Sequence, residues 1–406
     1  MDKVLFIVCD GMADRPISQL GAKTPLEAAN TPNLDKLVKK GLIGLMHVVG
    51  IGIRPGSDVA HLSLFGYDPK IYYTGRGPFE AAGLGMKISA GDVALRGNFA
   101  TVNTDFKIID RRAGRIDHTD TLAQALNNMF INNINISVAS GTGHRAAVVL
   151  HGENLDGRIS DTDPHKNNIK ILKSYPLVKN DYAKHTAQII NQFIIKSYKI
   201  LSTHRFNKKR VAEGNLPANI LLLRGAGKLP KLPSFKEKYG LKAACIAGAG
   251  LYKGIGRLLG MDVIKVPQAT GKPDSNIKAK MKTALKVLRT YDFTFVHIKG
   301  ADVLAEDGNY LGKKKFIEKI DLALAPLINR EDLLIVVTAD HTTSSILKIH
   351  TADPVPVLIV GKNLHTDNVS IFGERSAAGG KLGHIIGGHL MPIIIDFIGR
   401  APLTGA

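Results

Sequence analysis

The chain has 406 residues, 44% hydrophobic and 22% charged, which is enough to bury a large core and, at this length, to form two lobes. Its formal net charge of +19 invites a nucleic-acid reading. The lysines, however, are scattered over helix-like surfaces (Lys278, Lys280, Lys282, Lys286; Lys313 to Lys315), without interleaved aromatics or helix-turn-helix or zinc-finger spacing. A solvated basic surface suited to a small anionic substrate is therefore expected, with neither nucleic acid nor membrane as partner. No apolar run is long enough to span a bilayer, and the N-terminus lacks a secretory pattern, so the expected location is the cytoplasm. Cys9 and Cys245 lie far apart in apolar surroundings, which points to packing rather than a disulfide or a cysteine zinc site.

Residues 3–9 form a nearly continuous apolar run, as in a strand buried on both faces, and the run ends at Asp10-Gly11. Thr24-Pro and Thr31-Pro open two short helices, Gly41 stops the second, and residues 42–49 form the next strand. The turn Arg54-Pro-Gly-Ser57 follows, placing the Ser57 hydroxyl just ahead of a helix-like run, where exposed N–H groups and the positive helix end suit phosphoryl chemistry. From about residue 92 the texture changes to short segments, 93–101, 107–110, 135–140 and 146–150, as expected of a small mixed sheet. This stretch is dense in arginine, with Arg96, Arg111, Arg112, Arg115 and His144-Arg145, whose forks match carboxylate and phosphate oxygens.

Helical periodicity resumes over 183–202. Buried-strand runs then recur at 219–227, 243–248, 293–298 and 332–338, with helix-like segments at 253–259, 276–290 and 313–327. The pattern predicts an α/β fold with a largely parallel sheet flanked by helices, from residues 1–92 and 206–406, plus a smaller inserted α+β domain from 93–205.

Three of these strands end in metal-capable groups: Asp10 after the first, Asp302 and Glu306-Asp307 after 293–298, and Asp340-His341 after 332–338, with His350 nine residues on. Parallel strands bring such ends to one edge of a sheet. Carboxylates and imidazoles gathered there beside a serine have the composition of a two-metal phosphoryl-transfer site.

Several motifs carry a family resemblance running nearly end to end. They are Val8-Cys-Asp-Gly-Met-Ala-Asp-Arg-Pro16, Gly56-Ser-Asp-Val-Ala-His-Leu-Ser-Leu-Phe-Gly-Tyr-Asp-Pro69, Thr74-Gly-Arg-Gly-Pro-Phe-Glu-Ala-Ala-Gly83, Ser160-Asp-Thr-Asp-Pro-His165 and Thr338-Ala-Asp-His341. With them the chain resembles the archaeal-type, 2,3-bisphosphoglycerate-independent phosphoglycerate mutases of the alkaline phosphatase superfamily. The resemblance implies an alkaline-phosphatase-like core and a nucleophile at Ser57 that becomes phosphoserine. It also implies one divalent metal on Asp10, Ser57, Asp340 and His341, and a second on Asp302 and His350. The implied reaction interconverts 3-phosphoglycerate and 2-phosphoglycerate, a small phosphorylated hydroxy acid, without 2,3-bisphosphoglycerate. Arg76, His144, Arg145, Arg224 and Lys253 are the candidates for gripping its phosphate or carboxylate.

Two departures stand out. Where relatives read Asp-x-Ala-Gly-His, this chain has Asp302-Val-Leu-Ala-Glu306, so Glu306 is expected to replace a histidine ligand and to favour Mn²⁺ or Mg²⁺. In Gly379-Gly-Lys-Leu-Gly-His-Ile-Ile-Gly387, His384 and Ile386 stand where relatives carry arginines, and Lys381 is the candidate replacement for a lost anion contact.

Overall fold

The structure, a computed structural model, describes residues 2–403 and 405. The chain divides into two compact units: one ends at Tyr72 and resumes at Leu232, and the other is Tyr73–Lys231. In chain order the strands are β1 (Val4–Cys9) and β2 (Gly41–His47) in the first unit. The second unit contributes β3 (Val93–Val102), β4 (Ile108–Asp110), β5 (Met129–Ile131), β6 (Ile134–Ser140), β7 (Arg145–His151) and β8 (Ile220–Lys228). The first unit then resumes with β9 (Ala243–Ile246), β10 (Asp262–Val263), β11 (Phe293–Ile298), β12 (Leu334–Thr338), β13 (Thr342–Ser344), β14 (Ile349–Thr351), β15 (Val355–Val360) and β16 (Gly383–Ile386).

The first unit is an α/β layer structure around an eight-stranded sheet of order β10-β9-β11-β1-β12-β15-β2-β16. Its centre is parallel, with β1 between β11 and β12, and β15 runs against its neighbours β12 and β2. Every residue of β1, β11 and β12 is buried, which is why these runs lack polar alternation. The register aligns Cys9 with Ile298 and Val8 with Thr338, so the three strands stop side by side.

Two lysines that sequence reading puts on a solvated surface belong to this core. Lys280 and Lys313 are fully buried. Lys280 Nζ donates to the His297 carbonyl at 2.8 Å, while Lys313 Nζ pairs with Asp14 at 2.9 Å and donates to the Ala13 and Thr343 carbonyls. A buried ammonium persists only with such partners, and helical periodicity alone does not reveal them.

The second unit is an α+β structure built on an antiparallel sheet of order β4-β3-β7-β6-β5, with β8 also paired to β3. The helix Asp181–Thr203 buries Ala183, Ala187, Ile190, Phe193, Ile194 and Leu201 at helical spacing, and the Asn180 side chain caps its start.

The unit boundaries differ from the expected 92/93 and 205/206, and the run 219–227 is not a strand of the large parallel sheet. It is β8, paired antiparallel to β3 from Val93↔Lys228 to Ala100↔Ile220. At the other boundary, the helix Gly77–Gly83 lies on β3, where a Cβ on Gly77 would strike the Ala94 backbone. Pairing partners of an all-buried run are set by register and topology, which a single apolar run does not encode. No helix among the described residues is long and apolar enough to cross a membrane.

Candidate metal and phosphoryl site

In the first unit, the strand ends converge. Asp10 follows β1, Lys299 and Asp302 follow β11, and Asp340-His341 follow β12. The Asp302 N–H donates to the Asp10 carbonyl at 3.0 Å, and the Gly11 N–H donates to Asp340 Oδ1 at 3.2 Å. Gly11 has φ +65°, and a Cβ there would collide with Asp302 and Thr343, so only glycine lets the strand ends approach this closely.

Ser57 opens the helix Ser57–Leu64, next to the N-cap Gly56, and is buried. Its Oγ lies 3.2 Å from His341 Nε2. That nitrogen lies 3.5 Å from Asp10 Oδ1 and 3.3 Å from Asp340 Oδ2. The two carboxylate oxygens are buried without a hydrogen-bond partner.

The His341 tautomer follows from its other side. Nδ1 lies 2.9 Å from Thr343 Oγ1, whose single hydrogen goes to Asp302 Oδ1 at 2.9 Å. Thr343 must then accept from Nδ1–H, which leaves a lone pair on Nε2. Asp10 Oδ1, Asp340 Oδ2 and His341 Nε2 are thus three electron pairs aimed into one buried space, with ligand atoms within 4.8 Å of one another. That arrangement fits a cation.

A second group adjoins the first. Asp302, His341 and His350 also place ligand atoms within 4.8 Å of one another. His350 donates Nδ1–H to the Pro55 carbonyl at 3.0 Å and turns Nε2 toward Asp302 Oδ1, 3.4 Å away. Glu306 lies one turn beyond Asp302 on the helix Gly300–Glu306, on the same face, with Oε1 3.9 Å from His350 Nε2 and its side chain 54% exposed.

The electrostatics follow from burial and like charge. Burial and then Asp10 push Asp340 well above the usual carboxylate range. Burial would raise Asp10 too, but Lys299, with His297 and His341, holds it well below. Asp302, despite burial and Asp10, is drawn to about 2 by His350 and Lys299. Burial and Asp302 raise Glu306. Lys299 Nζ is the shared counter-charge, 3.1 Å from Asp10 and 2.7 Å from Asp302.

Several residues here escape sequence reading. Lys299 and Thr343 could have been singled out, since Lys299 lies three residues before Asp302 and Thr343 two after His341. Tyr252, which donates to Asp10 Oδ2 at 2.5 Å, lies on a remote helix and carries no local signal. His61 donates Nδ1–H to the Ser57 carbonyl at 2.7 Å and so braces the first turn of the serine's helix.

Lys253 follows Tyr252 on the helix Gly250–Leu258 and is half-buried. Lys381 Nζ donates to the Thr366 carbonyl at 2.6 Å. His384 lies on β16 beside His47, 3.4 Å away. Arg76, His144, Arg145 and Arg224 belong to the second unit. There Arg224 stands directly across from Arg96 in the β3–β8 ladder, and the Nε of each is buried without a hydrogen-bond partner. Burial lowers Arg96 to about 10, Arg224, Arg76 and Arg145 adding to the effect and Glu80 opposing it. Glu80 pairs with Arg76 at 2.9 Å and with Arg96 at 3.6 Å, and Asp163 lies 3.9 Å from Arg224, so these guanidinium groups outnumber the carboxylates beside them, a balance that suits an anion.

A family model described as 2,3-bisphosphoglycerate-independent phosphoglycerate mutase matches residues 38–207. A protein of that name from Archaeoglobus fulgidus is 48% identical over 99% of this chain and 100% of its own length. One from Methanocaldococcus jannaschii is 45% identical, covering 99% of this chain and 98% of the relative. Among solved structures, a cofactor-independent phosphoglycerate mutase from Thermoplasma acidophilum is 42% identical with a TM-score of 0.76, over 98% of this chain and 100% of that one. A protein from Pyrococcus horikoshii, 35% identical, reaches a TM-score of 0.86 over 100% and 99%. In this chain an α/β sheet gathers carboxylates, imidazoles and a buried serine at its strand ends. The chain belongs to the 2,3-bisphosphoglycerate-independent phosphoglycerate mutase family.

Proposed function

We propose that the chain is a metal-dependent phosphoglycerate mutase, interconverting 3-phosphoglycerate and 2-phosphoglycerate through phosphoserine on Ser57, in glycolysis or gluconeogenesis and without 2,3-bisphosphoglycerate. The observation carrying this reading is the buried Ser57 hydroxyl 3.2 Å from His341 Nε2, a nitrogen that itself lies against the unpartnered carboxylate oxygens of Asp10 and Asp340. Asp10, Ser57, Asp340 and His341 would hold one divalent ion, and Asp302, Glu306 and His350 a second. Bound there, the ions would make the serine hydroxyl easier to deprotonate and would neutralise phosphoryl oxygens. The carboxylate-rich donor set favours Mn²⁺ or Mg²⁺ over softer ions.

In this scheme Ser57 Oγ forms a bond to phosphorus as the bond from phosphorus to the 3-oxygen of glycerate breaks. The group then returns to the 2-oxygen, restoring the serine. The N-terminal end of the helix Ser57–Leu64 favours the charge of the phosphoserine, and Lys299 balances Asp10 and Asp302. Arg76, His144, Arg145, Arg224 and Lys253 serve phosphate or carboxylate recognition. The cytoplasm, where free phosphorylated intermediates occur, is the fitting location.

The test is incubation of Mn²⁺-loaded protein with phosphorus-labelled 3-phosphoglycerate, followed by acid quenching and peptide mapping. Label on Ser57 and formation of 2-phosphoglycerate are expected, both lost in Ser57→Ala. Free phosphate as sole product would instead make the protein a phosphomonoesterase, and no turnover with any divalent ion would leave a non-catalytic binding protein.

A further inference from the structure

We propose that Ser137, His151 and Asp92 form a second active site, confined to the inserted unit, which hydrolyses short-chain acyl esters. His151 Nδ1 lies 2.9 Å from Asp92 Oδ2, and His151 Nε2 lies 2.9 Å from Ser137 Oγ. A carboxylate offers acceptors, so Nδ1 carries the hydrogen and Nε2 is left as the base facing the hydroxyl. Asp92 is itself fixed, because Oδ2 also accepts from the Ser89 N–H at 2.9 Å. A nucleophile, a base in reach of it and a third group orienting that base are the requirements of nucleophilic catalysis, recognised by geometry rather than by chain position.

The fold places these groups on one face of the sheet. In the antiparallel pairing of β6 with β7, Ser137 stands opposite Val149 and Asn135 opposite His151. Ile134, Ile136 and Val138 alternate with them and enter the main core of the unit. Asp92 comes from the residue before β3, on the far side of β7 from β6. All three side chains line a cavity of about 660 Å³. Leu84 and Met86 give it an apolar wall fit for a short acyl chain, and it admits solvent, since Ser137 and His151 are only partly buried. Asn135 also lines it, with Oδ1 buried and unpartnered.

Ser137 Oγ adds to the ester carbonyl carbon while its proton passes to His151 Nε2. Collapse of the adduct breaks the bond to the alcohol oxygen, which leaves with that proton, and the acyl group remains on Ser137. Water, deprotonated by His151, then attacks the acyl carbon, releasing the carboxylic acid and restoring the serine. No metal or redox partner enters.

The experiment uses the full chain with p-nitrophenyl acetate and butyrate, and a fluorophosphonate probe whose adduct is located by peptide mass mapping. Mapping separates Ser137 from Ser57. An adduct on Ser137 is expected, with ester hydrolysis at least about 100-fold lower in Ser137→Ala and in His151→Ala, the scale of general-base catalysis. An unchanged thermal midpoint in Ser137→Ala would show that the loss is chemical. As a second route, the thiol of Ser137→Cys should react with iodoacetamide at neutral pH several-fold faster when His151 is present than in the double variant with His151→Ala. The proposal is overturned if Ser137 stays unlabelled while Ser137→Ala hydrolyses both esters at the parental rate, or if the thiol's reactivity is indifferent to His151. The three groups would then be fastening β3, β6 and β7 together.

Discussion

His341 and Thr343, two residues apart, are joined by a 2.9 Å hydrogen bond that decides which imidazole nitrogen faces Ser57. Because the Thr343 hydroxyl is committed to Asp302, it can only accept from His341. Thr343→Val keeps the shape but removes this orienting group. Metal affinity or turnover should fall about 10- to 100-fold, the usual range for such supporting partners, and Thr343→Ser should recover most of it. Mn²⁺ titration calorimetry beside mutase turnover reads both.

Glu306, proposed above as a ligand of the second ion, lies within reach of His350 but is half-exposed. Glu306→Ala should reduce bound Mn²⁺ from two equivalents toward one and cut turnover about tenfold or more, by analogy with other supporting groups of metal sites. Glu306→His should shift preference toward Zn²⁺, since imidazole is the softer donor. Metal content measured after dialysis against each ion decides it, and unchanged stoichiometry in Glu306→Ala would remove Glu306 from the site.

Chelation should destabilise the first unit. Asp10 Oδ1 and Asp340 Oδ2 are buried without hydrogen bonds, and a bound ion relieves their repulsion. Ion at a hundred times its dissociation constant contributes about 2.7 kcal/mol. Thermal scans with excess Mn²⁺ and with EDTA should differ by several degrees; superimposable scans would mean that no cation binds there.

His144 links stability to pH in the second unit. Burial, reinforced by Arg145, Arg112, Arg96 and Arg111, lowers it to about 4. The folded state therefore prefers the neutral ring, and between the unfolded value near 6.5 and about 4 the unfolded chain binds more protons. The contribution is whole above about 6.5 and is lost as pH falls through that window. The ring is only half-buried, so solvent screening reduces the effect to about 1 kcal/mol. His144→Gln should lose less stability than the parent between pH 7 and pH 4.5 in urea denaturation, and parallel losses would discount His144.

Much of the candidate site is legible in the sequence because its parts are local. Asp10, Asp302 and Asp340-His341 each follow a strand recognisable from its own apolar run, and Ser57 follows a Pro-Gly turn. Chain order alone then puts such groups at one sheet edge. Tertiary structure decided what depends on distant partners: that Lys280 and Lys313 are buried and paired, that Tyr252 reaches Asp10, and that the strand carrying Arg224 joins β3 in the second unit. Apolar runs and periodicity report how buried a residue wishes to be. Which charge answers a buried charge, and which strand answers a strand, is settled only when segments far apart in the chain pack together.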